Sequence, residues 1–172
     1  HPARTVVAAF AVATAAGAVL LALPWSSGTG ESVGLVTALF TATSALCVTG
    51  LAVVDTGSAW SGFGQVVILL LVQLGGLGIT TLAALLAIVV TRRLGLRSRL
   101  LAQTETGALD LGSVRQLVRR IVTFSLAFEA AGAVLLAVLF WSVHEQGAAE
   151  AVWNGVFHAV SAFNNAGFST FS

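Results

Sequence analysis

The sequence predicts an all-α integral membrane protein in which long spanning helices are combined with short helices that enter the membrane and turn back. Three observations carry this prediction. Of the 172 residues, 57% are hydrophobic and only 9% are charged, which is far more apolar than a soluble domain. Charges are absent from 5–30, 32–54 and 56–91, and each stretch is long enough to cross a hydrocarbon layer of about 30 Å as a helix. Finally, part of the N-terminal region recurs at an offset of 117 residues, Phe40 falling on Phe157.

The first spanning helix is expected to run to about Trp25, where Pro24 ends it and tryptophan suits a membrane–water interface. Arg4 followed by an apolar run also fits a signal peptide. The run is longer than a usual signal core, however, and has no small-residue cleavage site before a soluble domain. The stretch 32–54 differs in character: its centre, Thr41 to Gly50, is dense in hydroxyls and lacks the leucine-rich quality of 66–90. A helix over Ser32–Leu46 would rise only about 22 Å, so it would end inside the membrane. Irregular backbone at that depth is tolerated only inside protein or beside a water-filled cavity.

A second long helix is expected over about 61–91, and a further apolar stretch runs from Ile121 to about His144, interrupted only by Glu129. Hydropathy alone would count four crossings. Seven of the eight arginines (Arg92, Arg93, Arg97, Arg99, Arg115, Arg119 and Arg120) fall in 92–120, against only Glu105 and Asp110, which makes that segment cytoplasmic by the positive-inside rule. If 32–54 does not cross, Arg4 lies on the same side, which favours the three-crossing arrangement. Thr104–Gly112 reads as a loop with Gly107, Asp110 and Gly112 as turn residues. Glu31, Asp55, Glu145 and Glu150 then fall on the outer side, as solvated loop acids.

Several function classes are excluded. A net charge of +1 gives no footprint for nucleic acid. Cys47 is the lone cysteine, and His1, His144 and His158 have no metal-ligand spacing. A membrane-embedded enzyme would need a nucleophile with its base, or a carboxylate–histidine cluster, and Glu129 and His158 match no such spacing. The chain has no methionine, even at position 1, so it is read as a piece of a longer protein.

The repeat points to a different chemistry. Phe40–Val53 and Phe157–Thr170 agree at five of fourteen positions, including Ser44 with Ser161, Ala45 with Ala162 and Gly50 with Gly167. The same offset lays 5–25 over 122–142, so each copy is a spanning segment, a short helix and a glycine turn. Repeats in membrane proteins commonly meet at a transport site. The C-terminal carbonyls of a helix ending near the midplane favour a cation. Glycine also permits the positive φ that turns successive carbonyls toward one axis, where they replace an ion's hydration shell.

Three stretches, TATSALCVTGLAVVDTGSAWSGFGQ from Thr41, then VILLLVQLGGLGITT, and FHAVSAFNNAGFST from Phe157, resemble the Trk/Ktr/HKT superfamily of potassium transporters, in the manner of a TrkH/KtrB-like membrane subunit. The resemblance covers nearly the whole chain and corresponds to the N-terminal half of such a protein. It implies tandem M1-P-M2 repeats (helix, re-entrant pore helix, helix) of a potassium-channel-like pore, four to a chain. The first unit would be 1–91, 92–115 an Arg-rich cytoplasmic connection, and 116–172 a second unit that stops before its closing helix.

The resemblance further implies potassium uptake through a selectivity filter lined by the carbonyls of Val48, Thr49 and Gly50 and of Asn165, Ala166 and Gly167, flanked by Cys47, Leu51, Asn164 and Phe168. Glycine at the key positions goes with potassium selectivity in this superfamily. Potassium is the transported ion, with no covalent cofactor and no other metal. The implied surroundings are membrane lipid in the bacterial inner (plasma) membrane, a homodimeric partner, and a cytoplasmic nucleotide-binding regulatory ring. The alternative is a non-conducting assembly or regulatory subunit that keeps the pore-loop shape.

Plainer roles are set beside these. Cys47 is expected to be a small buried packing residue. Gln73, Gly75, Gly76 and Gly78 are expected to allow close helix packing. Glu129, as an intramembrane carboxylate, is expected either to hold the second short helix by a hydrogen bond or to act near the ion pathway. His158 is expected to pack or hydrogen-bond on that helix.

Overall fold

A computed structural model describes residues 2–94, 111–143 and 147–171. Six α-helices are present among them: α1 (Pro2–Ala22), α2 (Leu35–Leu46), α3 (Thr56–Ala59), α4 (Gly62–Leu94), α5 (Leu111–Val143) and α6 (Ala148–Phe163). The tract 95–110, with Arg97, Arg99, Glu105 and Asp110, lies outside the described residues, as do His1 and the segment 144–146 with His144 and Glu145. Three helices have the length and composition to cross a membrane, over Arg4–Ala22, Gly62–Ala84 and Arg115–Val143. The protein is an all-α membrane protein.

At 12 residues, α2 is about 18 Å long, too short to cross. It begins three residues later than the sequence predicts. Gly34 stands before its first turn at φ +87°, a left-handed conformation that stops the helix from starting at Ser32. The Ser32 hydroxyl donates instead to the carbonyl oxygen of Ala22, at 2.7 Å. A second expectation also fails. Gly112 is not a turn residue but part of the first turn of α5, where the apolar period of the following residues carries the helix N-terminal to Arg115.

After α1, Pro24–Ser26 form a 3-10 turn with Trp25 turned outward, 78% exposed. An isolated antiparallel bridge joins Ser27 to Trp60, with Gly28 N donating to Ala59 O and Ser61 N to Ser26 O, both at 2.9 Å. The end of α1 is thereby tied to the start of α4. The Asp55 carboxylate accepts from the Ser58 amide at 2.8 Å and caps α3.

The helices pack as two hairpins, α1 with α2 and α5 with α6, with α4 against both. The core is small and tight: Ala38, Ala42, Ala45 and Leu46 of α2 meet Leu21 of α1 and Ile68, Leu71 and Val72 of α4, and Phe157 closes the cluster from α6. Many other large apolar side chains face outward, among them Val19, Leu70, Leu135 and Val138, as a lipid-facing surface requires.

Close backbone approach sets the second hairpin. A Cβ at Gly155 would stand 2.7 Å from Ala137 N and 2.8 Å from Ala133 O, whereas one at Gly132 would meet only the Ala159 methyl at 3.5 Å. Gly155→Val should therefore force α6 off α5, cost about 1–3 kcal/mol, and lower the thermal unfolding midpoint of purified protein, while Gly132→Ala should leave that midpoint unchanged or raise it slightly.

Candidate functional site

The two short helices end in the same way. The last carbonyls of a helix have no intrahelical donor, and both copies use the same device to satisfy some of them. Cys47 and Asn164 are the C-caps, at φ −83° and −79°. The next residues, Val48 and Asn165, are left-handed at φ +56° and +58°. Val48 N donates to Ala45 O at 3.2 Å and Thr49 N to Ser44 O at 3.0 Å; at an offset of 117, Asn165 N donates to Ala162 O at 3.0 Å and Ala166 N to Ser161 O at 2.7 Å. This is the Schellman pair of bonds. A β-branched valine occupies the position where glycine is usual, a strained choice.

Two residues further on, the backbone turns left-handed again at Gly50 (φ +71°) and Gly167 (φ +76°). Both strands are thus left-handed at their second and fourth positions after the helix. They meet there: a Cβ at Gly50 would lie on the carbonyl oxygen of Ala166, and one at Gly167 would stand 3.6 Å from Gly50 Cα. No side chain fits between the strands at Gly50.

Each strand is braced from behind. The Ser161 hydroxyl donates to Phe168 O at 2.7 Å, and the Thr49 hydroxyl donates to Ser44 Oγ at 3.0 Å. Consecutive glycines on α4 receive the two helix ends: Gly75 abuts the carbonyl of Leu46, and Gly76 abuts the side chain of Asn164. The expectation that these glycines serve close packing is met, one for each copy. Gln73, two residues earlier, does more than pack. Its Nε2 donates to both carboxyl oxygens of Glu129, at 3.0 and 3.1 Å, and its Oε1 accepts from Asn164 Nδ2 at 3.1 Å. Glu129, only 5% exposed, also accepts from Asn164 Nδ2 at 3.1 Å.

Further along the second copy, His158 Nδ1 lies 2.8 Å from Asn154 O and donates to it, while Nε2 is hydrogen-bonded with Ser169 Oγ at 3.1 Å. Its ring stacks on Phe171 at 4.8 Å between centroids. His158 packs and hydrogen-bonds, as expected. Its counterpart in the first copy, Thr41, is buried with its hydroxyl oxygen unpartnered. Thr170 Oγ1 donates to Asn154 Oδ1 at 2.8 Å, and Trp153 Nε1 donates to Gln65 Oε1 at 2.7 Å, fastening α6 to α4.

A cavity of about 260 Å³ opens at the ends of both short helices, lined by Cys47, Val48, Gly76, Ile79, Thr80, Phe163, Asn164 and Asn165. Cys47 is exposed rather than buried. The helix points its C-cap into this opening, so packing does not cover the thiol. A larger cavity of about 1000 Å³ shares Thr80 and Phe163 but also has Arg119 and Arg120 in its lining, which suits a cation poorly. Among the described residues no cluster of three His, Cys, Asp or Glu could hold a metal.

A family model described as "TrkH: Cation transport protein" matches residues 2–172. The chain belongs to the TrkH family. Within that family it is 44% identical over 89% of its length to the Ktr system potassium uptake protein B of Bacillus subtilis, covering 34% of that protein. It is 46% identical over 90% of its length to the protein of the same name from Vibrio alginolyticus, covering 33% of it. It is also similar to the potassium/sodium uptake protein NtpJ of Enterococcus hirae, at 36% identity over 97% of the chain and 37% of the relative. The chain spans about a third of the length of these curated relatives.

In this TrkH-family chain Cys47 and Val48 share a cavity with Asn164 and Asn165, and Gly50 lies against Ala166 and Gly167, while Leu51 is exposed and Phe168 buried. Gln65, Trp153 and Asn154 escaped sequence reasoning, as did the polar role of Gln73. A carboxamide inside an otherwise apolar span was the available signal, since such a group must find a partner. Gly50→Ala suffers both a left-handed φ and the Ala166 carbonyl, whereas Gly167→Ala suffers only the φ, a penalty of roughly 1–2 kcal/mol. Thermal unfolding of the two purified variants should therefore show the larger loss for Gly50→Ala.

Proposed function

We propose that the chain supplies two of the strands of a potassium-selective filter, and that the protein containing it takes up potassium across the bacterial inner membrane. The filter atoms would be the backbone carbonyls of Val48, Thr49 and Gly50 and of Asn165, Ala166 and Gly167, flanked by Cys47, Leu51, Asn164 and Phe168. The observation that carries the reading is the repeated backbone. Two short helices of a cation transport family member end side by side in the same left-handed turns, with Gly50 closely against the Ala166 carbonyl.

Carbonyl groups fixed in number and position replace a cation's hydration shell without proton or covalent chemistry. Helix C-termini pointing at the same place add a negative potential. On this reading α2 and α6 are re-entrant pore helices, 1–91 and 116–172 belong to successive M1-P-M2 units, and 92–120 faces the cytoplasm, as its arginines favour. The names of two relatives, as potassium uptake proteins of a Ktr system, support the ion and support a multi-component assembly. The protein would pair as a homodimer in lipid and dock a cytoplasmic nucleotide-binding ring. The non-conducting and enzymatic alternatives gain no support from the family.

Potassium and sodium flux into proteoliposomes containing the full-length protein tests this. Gly50→Ser, compared at matched reconstituted amounts, should erode the potassium-to-sodium ratio by about tenfold, equivalent to ~1.4 kcal/mol. An unchanged ratio in a well-folded Gly50→Ser protein would make Gly50 a structural turn and remove the filter assignment.

A further inference from the structure

The second strand has a support that the first lacks. At the repeat offset, Glu129 corresponds to Val12 and Asn164 to Cys47, so nothing equivalent to the Gln73–Glu129–Asn164 cluster can form behind Val48. The cluster is a continuous set of hydrogen bonds in which the two N–H groups of Asn164 Nδ2 are shared among three acceptors. Gln73 Nε2 gives hydrogen bonds to both carboxyl oxygens of Glu129, which turns the other end of the carboxamide, Oε1, toward Asn164. Asn164 Nδ2 then serves Gln73 Oε1, Glu129 Oε1 and its own helix at Val160 O, the last at 2.9 Å. Its remaining polar atom, Oδ1, is pressed against Gly76. The orientation of Asn164 is therefore set in part by a carboxyl group on a different helix whose two oxygens both accept N–H groups here.

Asn164 is the cap from which the left-handed residue Asn165 departs. We propose that Glu129 is a positioning residue for ion selectivity: acting through Gln73 and Asn164, it fixes the second strand, and only that strand, in its ion-preferring geometry. The two strands thus reach the same backbone conformation by different means. The first rests on packing of the Leu46 carbonyl against Gly75 and on the Thr49 hydroxyl bond within its own turn, and the second adds a three-residue hydrogen-bond circuit linking α4, α5 and α6. This inference rests on the filter reading above.

The circuit makes a prediction that simple packing does not. In Glu129→Gln a carboxamide nitrogen would face Gln73 Nε2, donor against donor. Exchanging the two groups, as Gln73→Glu with Glu129→Gln, restores one carboxyl and one carboxamide, with Asn164 still offered two acceptors. The measurement is potassium and sodium flux in proteoliposomes with the full-length protein, the single variant and the double variant. Glu129→Gln should lower the potassium-to-sodium ratio by about fivefold or more and raise the apparent KM for potassium. The double variant should return both to within about twofold of the unmodified protein.

The proposal is overturned if Glu129→Gln changes only the amount of assembled protein or the maximal rate. It is equally overturned if the exchange restores nothing. Should the single variant fail to assemble, the exchanged protein decides: assembly with restored selectivity supports the circuit, and failure to assemble refutes it. Absence of potassium preference in the unmodified protein would instead sink the filter reading itself.

Discussion

A helix that stops short in an apolar surrounding leaves its last carbonyls without donors, and the rest of this structure is arranged around that constraint. An unsatisfied buried backbone group costs several kcal/mol, so the ends of α2 and α6 need partners around them. The Schellman bonds satisfy Ser44 and Ala45 in one copy and Ser161 and Ala162 in the other. Those bonds require a left-handed residue next, Val48 in one copy and Asn165 in the other, which ends the helix and turns the chain. The two strands that follow approach closely enough that only glycine fits at Gly50. On the proposed reading the unsatisfied carbonyls that remain are the functional groups, and the ion is their partner.

The same constraint explains α4. A helix of 33 residues with no charge before Arg92 could pack on its neighbours through any face, yet Gln73, Gly75 and Gly76 stand where the short helices end. Gln65 holds Trp153 and the carbonyls of Thr56, Gly57 and Trp60. Gln73 holds Glu129 and Asn164, and Gly75 and Gly76 admit the two helix ends. One helix thereby carries the first copy and locks the second, which is why the strands of separate repeats can be set against each other at van der Waals distance.

Much of this was legible in the sequence, because its causes are local. Long uncharged stretches show spanning length directly, and the repeat at an offset of 117 marks both turns, including the glycines. The start of α2 was misread because Ser32, Val33 and Gly34 are compatible with either state, and only the left-handed Gly34 ends the ambiguity. Gly112 was misread because glycine in the first turn of a helix looks like a turn in isolation. Cys47 was placed in the core on average behaviour, whereas its position at a C-cap over a cavity follows from tertiary placement alone. The Gln73–Glu129–Asn164 circuit joins residues 56 and 35 apart in the chain, a relation that no periodicity encodes.

The most direct test of the central claim is to see the ion. Crystals of the full-length protein grown with thallium or rubidium in place of potassium should show anomalous density within coordination distance of the carbonyls of Val48, Thr49, Asn165 and Ala166, between the ends of α2 and α6. Density confined to other sites, with those carbonyls facing only protein, would contradict the account.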